Sequence, residues 1–134
     1  MKKGQVGVEY LIMMGFITLA ISGTLLLSEF YIGASQTTIR TNQVESFANK
    51  VIESSESVYY SGEPSKTTLD VFLPENVNNI TIKNKNLIIE YTTSSGDSIR
   101  AFESNVPLNG SIETGRGIKK LKIEAKKDFV KISN

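Results

Sequence analysis

From Tyr10 to Ser28, 19 consecutive residues carry no charge. Coiled as an α-helix at about 1.5 Å per residue, that run reaches roughly 29 Å, close to the ~30 Å hydrocarbon core of a bilayer. The remainder of the chain is polar and rich in Ser, Thr and Asn, and the mean hydropathy of the whole is only −0.11. A multi-span membrane protein is thereby excluded. A chain of 134 residues has room for one long helix and one small domain.

The run is preceded by Met1-Lys2-Lys3-Gly4. Two lysines ahead of an apolar segment hold that end in the cytoplasm and place the downstream chain outside. An ordinary secretory signal has the same basic start but is cut after its apolar run, at an Ala-x-Ala-like site. Ala20-Ile21-Ser22 is the nearest match, and Leu25-Leu26-Leu27 come after it, so the cut would fall inside the run. Ile32-Gly33-Ala34 is a weaker candidate. With no Cys, an exported domain must hold together by packing alone.

Between the lysines and the apolar run stands Lys3-Gly4-Gln5-Val6-Gly7-Val8-Glu9-Tyr10. It resembles the class III signal of archaeal type IV pilin-like proteins: a basic leader ending in Gly, then Gln-x-Ser-x-Glu-Tyr, then a hydrophobic helix. Gly7 stands where that pattern has Ser, and the resemblance covers about the first 30 residues. It implies processing at Lys3, Gly4 and Gln5, with Gln5 beginning the mature chain, and assembly through Gln5, Glu9 and Tyr10. It also implies partners: a class III prepilin peptidase, a pilus assembly platform with its ATPase machinery, and further copies of the chain. The precursor would sit in the cytoplasmic membrane with its head outside, and the product would be an extracellular pilus, for adhesion.

Cleavage after Gly4 would remove both lysines and keep the helix, leaving 13 basic against 14 acidic side chains. A helix so trimmed leaves lipid only for another apolar environment, and a bundle of sister helices is one. Glu9 is then the oddity, because a carboxylate carried to the bilayer centre costs about 2.5–3.5 kcal/mol. A new α-amine on Gln5 of a neighbour would relieve it, and would itself escape an unfavourable place at a helix N-terminus. The alternative is a Glu9 solvated among head groups. Gly7, Gly15 and Gly23 recur every eight residues, each about 80° around the helix from the last. They serve close approach from several sides, or reflect the ordinary tolerance of Gly in membrane helices. Thr18 and Ser22 share a face.

Beyond Glu29, Val44, Phe47, Ala48, Val51 and Ile52 have the spacing of an amphipathic helix. Ser35–Thr41 has low helix propensity and is a candidate bend or break. Gly62 and Pro64 end the helix near Tyr59–Tyr60. After Pro64 the period becomes two, with strands expected around Leu69–Leu73, Ile80–Ile82, Leu87–Tyr91, Ile99–Phe102 and Val106–Ile112. Gly117–Ile132 fits either two short strands turning near Lys127-Asp128 or a helix. The expected organisation is a leader (1–4), a helix (5–60; anchor 10–28, amphipathic 29–60) and a β-rich head (61–134). The fold class is α+β, a long helix packed through Val44, Phe47 and Val51 on a small antiparallel sheet.

Other signals are weaker. Asn79-Ile80-Thr81 and Asn109-Gly110-Ser111 are N-glycosylation sequons, but 10 Asn and 26 Ser plus Thr produce about two such triplets by chance. Residues 116–134 hold 7 basic and 2 acidic side chains, whereas 29–115 hold 6 and 11. Opposite signs could pair neighbouring subunits or meet an anionic surface; a Lys-rich strand is more often a sheet edge guarded against aggregation. Without His there is no triad, no acidic cluster has metal spacing, and no phosphate loop or nucleic-acid motif is present. No enzyme, cofactor or nucleic-acid partner is expected. The competing reading is a single-span anchored surface binding protein, or a minor pilin or pseudopilin of an export machine.

Overall fold

The computed structural model describes residues 2–134, apart from the side chains of residues 2–5 and 34. The chain divides into two compact units, Met1–Gln36 and Thr37–Asn134. Helix α1 runs from Lys2 to Ser61, so the weak stretch at Ser35–Thr41 is not a break in the helix. Low propensity there costs at most about 0.7 kcal/mol per residue. Tertiary contact offsets it: the Thr37 hydroxyl lies 2.6 Å from that of Ser94. The helix stops where a left-handed residue becomes available. Gly62 takes φ +77° and its N–H donates to the Tyr59 carbonyl at 3.0 Å, closing the last turn without a Cβ penalty.

The rest of the second unit is built from seven strands: β1 (Lys66–Leu73), β2 (Val77–Lys83), β3 (Asn86–Thr93), β4 (Gly96–Glu103), β5 (Leu108–Gly110), β6 (Gly117–Ala125) and β7 (Val130–Ser133). They form two sheets, ordered β1-β6-β7-β5 and β2-β3-β4. Each pairing is antiparallel except β5 with β7, which is parallel. The fold is α+β, as expected, with two sheets in place of one and a parallel pair among them. Within Gly117–Ile132 the period-two alternation wins over the helical one. Leu121, Ile123 and Ala125 face inward, and Lys126 N–H bonds to the Phe129 carbonyl to reverse the chain. Val106–Ile112 contributes only the three residues of β5.

Alternation decides which face of each strand is buried. Leu73, Leu121, Ile123 and Ile132 from the larger sheet join Ile80, Leu87, Ile89 and Tyr91 from the smaller one in a single core. The amphipathic part of α1 completes it with Val44, Phe47, Ala48, Val51 and Val58. Burying one such Val, Leu, Ile or Phe contributes roughly 1.5–3 kcal/mol. A head of this size is marginal on two sheets alone, so the helical face is a structural requirement.

The Lys-rich strand is not an edge. β6 pairs along its length with β1, from Lys66↔Glu124 to Leu73↔Gly117, and on its other side with β7 through Lys122–Ala125, so that only its Gly117–Leu121 half is open there. Lys120 and Lys122 stand on the face opposite the buried Leu121, Ile123 and Ala125, whereas Lys119 shares their side and is half-buried at the start of the strand. The edges are β1 and β5 of one sheet, β2 and β4 of the other.

Candidate functional site

Apolar side chains cover α1 between Val6 and Ile32 on every side, and they are exposed. Phe16 is 73% and Phe30 82% accessible, and Leu11, Leu19 and Leu26 are similar. The most apolar 18-residue window has a mean hydropathy of 2.1 and none of it is buried. The helix is therefore long and apolar enough to cross a membrane near the N-terminus. Two of its hydroxyls are turned inward: Thr18 Oγ1 donates to the Met14 carbonyl and Thr24 Oγ1 to the Ile21 carbonyl, both at 2.8 Å. Each threonine thus satisfies its own donor, which an environment without water demands. A Cβ placed on Gly7, Gly15 or Gly23 would meet nothing within 4 Å, so the glycines leave shallow notches.

Lys3, Gly4 and Gln5 fall in the first turn of α1, and their side chains lie outside the described residues. Glu9 stands one turn beyond Gln5 and is exposed. Tyr10 is exposed beside it. In an apolar surrounding Glu9 would be the single acid between Val6 and Ser28. Comparisons with protein-family models, curated proteins and solved structures return no match. The reading of this surface therefore rests on the chain's own chemistry.

Both sequon asparagines are exposed, on different sheets. Asn79 lies in β2 at an irregularity of register, and its Nδ2 donates to Thr81 Oγ1 at 3.4 Å. Asn109 lies in β5 opposite Lys131. The glycine within its triplet has a structural reason: Gly110 has φ +133°, and a Cβ there would run into the Ile132 carbonyl oxygen. Glycine is needed at that position whether or not Asn109 is modified.

Sequence reasoning missed the residues that dock the helix in the second unit. Glu56 Oε1 accepts from Asn105 N–H at 2.9 Å and from Asn105 Nδ2 at 3.1 Å. Glu45 pairs with Arg100 at 3.4 Å. Together with the Thr37–Ser94 contact, these fasten β4 and its flanking turns along the helix at three heights. Glu45 and Glu56 are eleven residues apart, three turns, and so share one stripe. That spacing was readable; their partners, more than 45 residues away, were not. Among the described residues no group of three or more acids could hold a metal ion.

Proposed function

We propose that the chain is a structural subunit of an extracellular archaeal type IV-like pilus, cut after Gly4 and assembled through α1. The observation that carries this reading is the contrast within the chain. The core of Thr37–Asn134 begins, along the helix, at Val44, while Val6–Ile32 exposes an all-round apolar surface. Contiguous apolar area of that extent belongs to an interface or to lipid. Sister helices offer such an interface once the leader is gone, and the notches at Gly7, Gly15 and Gly23 allow close approach. A neighbour's α-amine on Gln5 would meet Glu9 and set the axial register.

The second reading, a single-span anchored surface protein, draws on the bilayer-matched length of the same helix. Intact-mass analysis of the native protein separates the two, and a Glu9→Ala variant adds the assembly readout. The pilus reading expects a chain beginning at Gln5 and, for Glu9→Ala, normal cleavage with loss of most filament yield. A native chain that keeps Lys2 and Lys3, and dissolves as monomers in mild detergent, would replace it with the anchor. Full filament yield from Glu9→Ala would remove the amine–carboxylate contact.

A further inference from the structure

The register of the larger sheet gathers on its solvent face charges that are scattered in the sequence. Opposite the buried Leu121 and Ile123, the outward positions of β6 are Lys120, Lys122 and Glu124. Alongside lie Lys66 and Asp70 of β1 and Lys131 of β7. The Glu124 carboxylate is shared by Lys66 at 3.1 Å and Lys126 at 3.0 Å. Lys120 faces Asp70 across the strand pair. Lys122 and Lys131 make no ion pair among the described residues, Lys131 standing opposite Glu124 in register, and they flank a cleft of about 390 Å³ that Glu124, Thr68 and Ser133 also line. Two residues along a strand is about 6.7 Å and one strand across about 4.8 Å, so the backbones of Lys122 and Lys131, diagonal to each other in the register, stand roughly 8 Å apart. At the other end of the same face Phe72 and Ile118 sit opposite each other, both exposed.

We propose that this outer face of the β1-β6-β7-β5 sheet binds an acidic polysaccharide. Sulfate or carboxylate groups meet Lys122 and Lys131, sugar hydroxyls meet Thr68 and Ser133, and the C–H face of a ring packs on Phe72. Charge complementarity selects the occupant. The face carries five lysines, counting Lys126, against two carboxylates. A second copy of the chain is the competing occupant, because Glu53, Glu63 and Glu103 are exposed and make no ion pair among the described residues, and the self-association arm of the test below separates the two. A nucleic acid would need a continuous basic track and stacking aromatics. Here Glu124 interrupts the lysines, and on this face Phe72 is the one exposed aromatic among the described residues. The inference concerns the head alone and does not depend on filament assembly.

The test uses the full chain in neutral detergent, with dextran sulfate as probe and uncharged dextran and duplex DNA as comparisons. Lys122→Gln/Lys131→Gln removes the two lysines that flank the cleft. Lys83→Gln/Lys85→Gln removes two exposed lysines at the β2–β3 turn of the other sheet and serves as control, with thermal unfolding confirming that both variants fold. Wild type binds dextran sulfate and not dextran, added salt weakens the binding, and the first variant loses about tenfold in affinity while the control stays within about twofold. Absence of binding, or equal loss in both variants, would overturn the proposal. So would tighter binding to DNA. A wild type that self-associates through Lys122 and Lys131, with dextran sulfate binding unchanged in the variant, would assign the face to a second copy instead.

Discussion

Phe16 and Phe47 belong to one helix, yet the first is 73% exposed and the second 1%. The difference lies in what surrounds them in sequence. Around Phe16 the helix is apolar on all sides, with no polar face to turn toward water. Around Phe47 an apolar stripe alternates with Glu45, Asn49, Lys50 and Glu53, and a stripe has somewhere to go: the sheets of its own chain. A helix apolar all round can be satisfied only from outside the chain, by lipid or by other helices. One backbone thus serves two solvents, and the change occurs between Ile32 and Val44.

The same truncation at both phenylalanines is the strongest way to break this comparison. Phe47→Ala should cost about 3–5 kcal/mol, because the surrounding core collapses only in part around the cavity. Phe16→Ala should leave the stability of the second unit unchanged. Urea unfolding of the full chain in neutral detergent, followed through the buried Tyr91, measures both. A Phe16→Ala midpoint displaced as far as that of Phe47→Ala would mean that the two regions fold as one.

A glycine pair sharpens the contrast with a smaller effect. Gly15→Ala adds a methyl group where nothing lies within 4 Å, so it should raise helix stability by up to about 1 kcal/mol. Gly110→Ala forces a side chain onto a φ of +133° and against the Ile132 carbonyl, and should destabilise by about 1–3 kcal/mol. The sign of the change differs between the units for one and the same substitution. Far-ultraviolet circular dichroism reads the first effect, and the urea midpoint of the full chain reads the second.

These contrasts also mark what could be read before the fold was known. The uncharged run and the Val44–Ile52 spacing are local patterns, and both halves of α1 came from them. So did the helix stop at Gly62 and most strands, because side-chain period is a property of neighbouring residues. What escaped was long-range. Nothing local tells β6 that β1 will pair along one side and β7 with Lys122–Ala125 on the other, so a Lys-rich strand resembled an edge. Nothing in Ser35–Thr41 announces that Ser94 will meet Thr37. The division into two sheets and the parallel β5/β7 pair depend on which strands meet across long intervening stretches, and alternation carries no such information. For the assembly surface, Glu9 and Tyr10 were legible as the end of the apolar run, whereas the Glu45–Arg100 and Glu56–Asn105 fastenings of the helix were not.

Acid gives the gentlest separation of the two regions. From Leu11 to Ser28 no side chain titrates, so falling pH has nothing to act on there. In the second unit, hydrogen bonds from Lys126 and then Lys66, with their charges, hold the Glu124 carboxyl below its ordinary range. A carboxylate whose pKa is depressed by folding contributes stability that is fully present above its unfolded value and is lost as pH falls through the folded one. Glu124→Gln removes that contribution. Wild type and variant should differ most near neutrality and converge as the pH falls through the lowered pKa of Glu124, with urea midpoints at each pH as the measurement. The difference should be small, since a salt-screened surface carboxylate contributes little. A gap between the two proteins that persists unchanged into acid would show that Lys66 and Lys126 do not stabilise the charged form of Glu124.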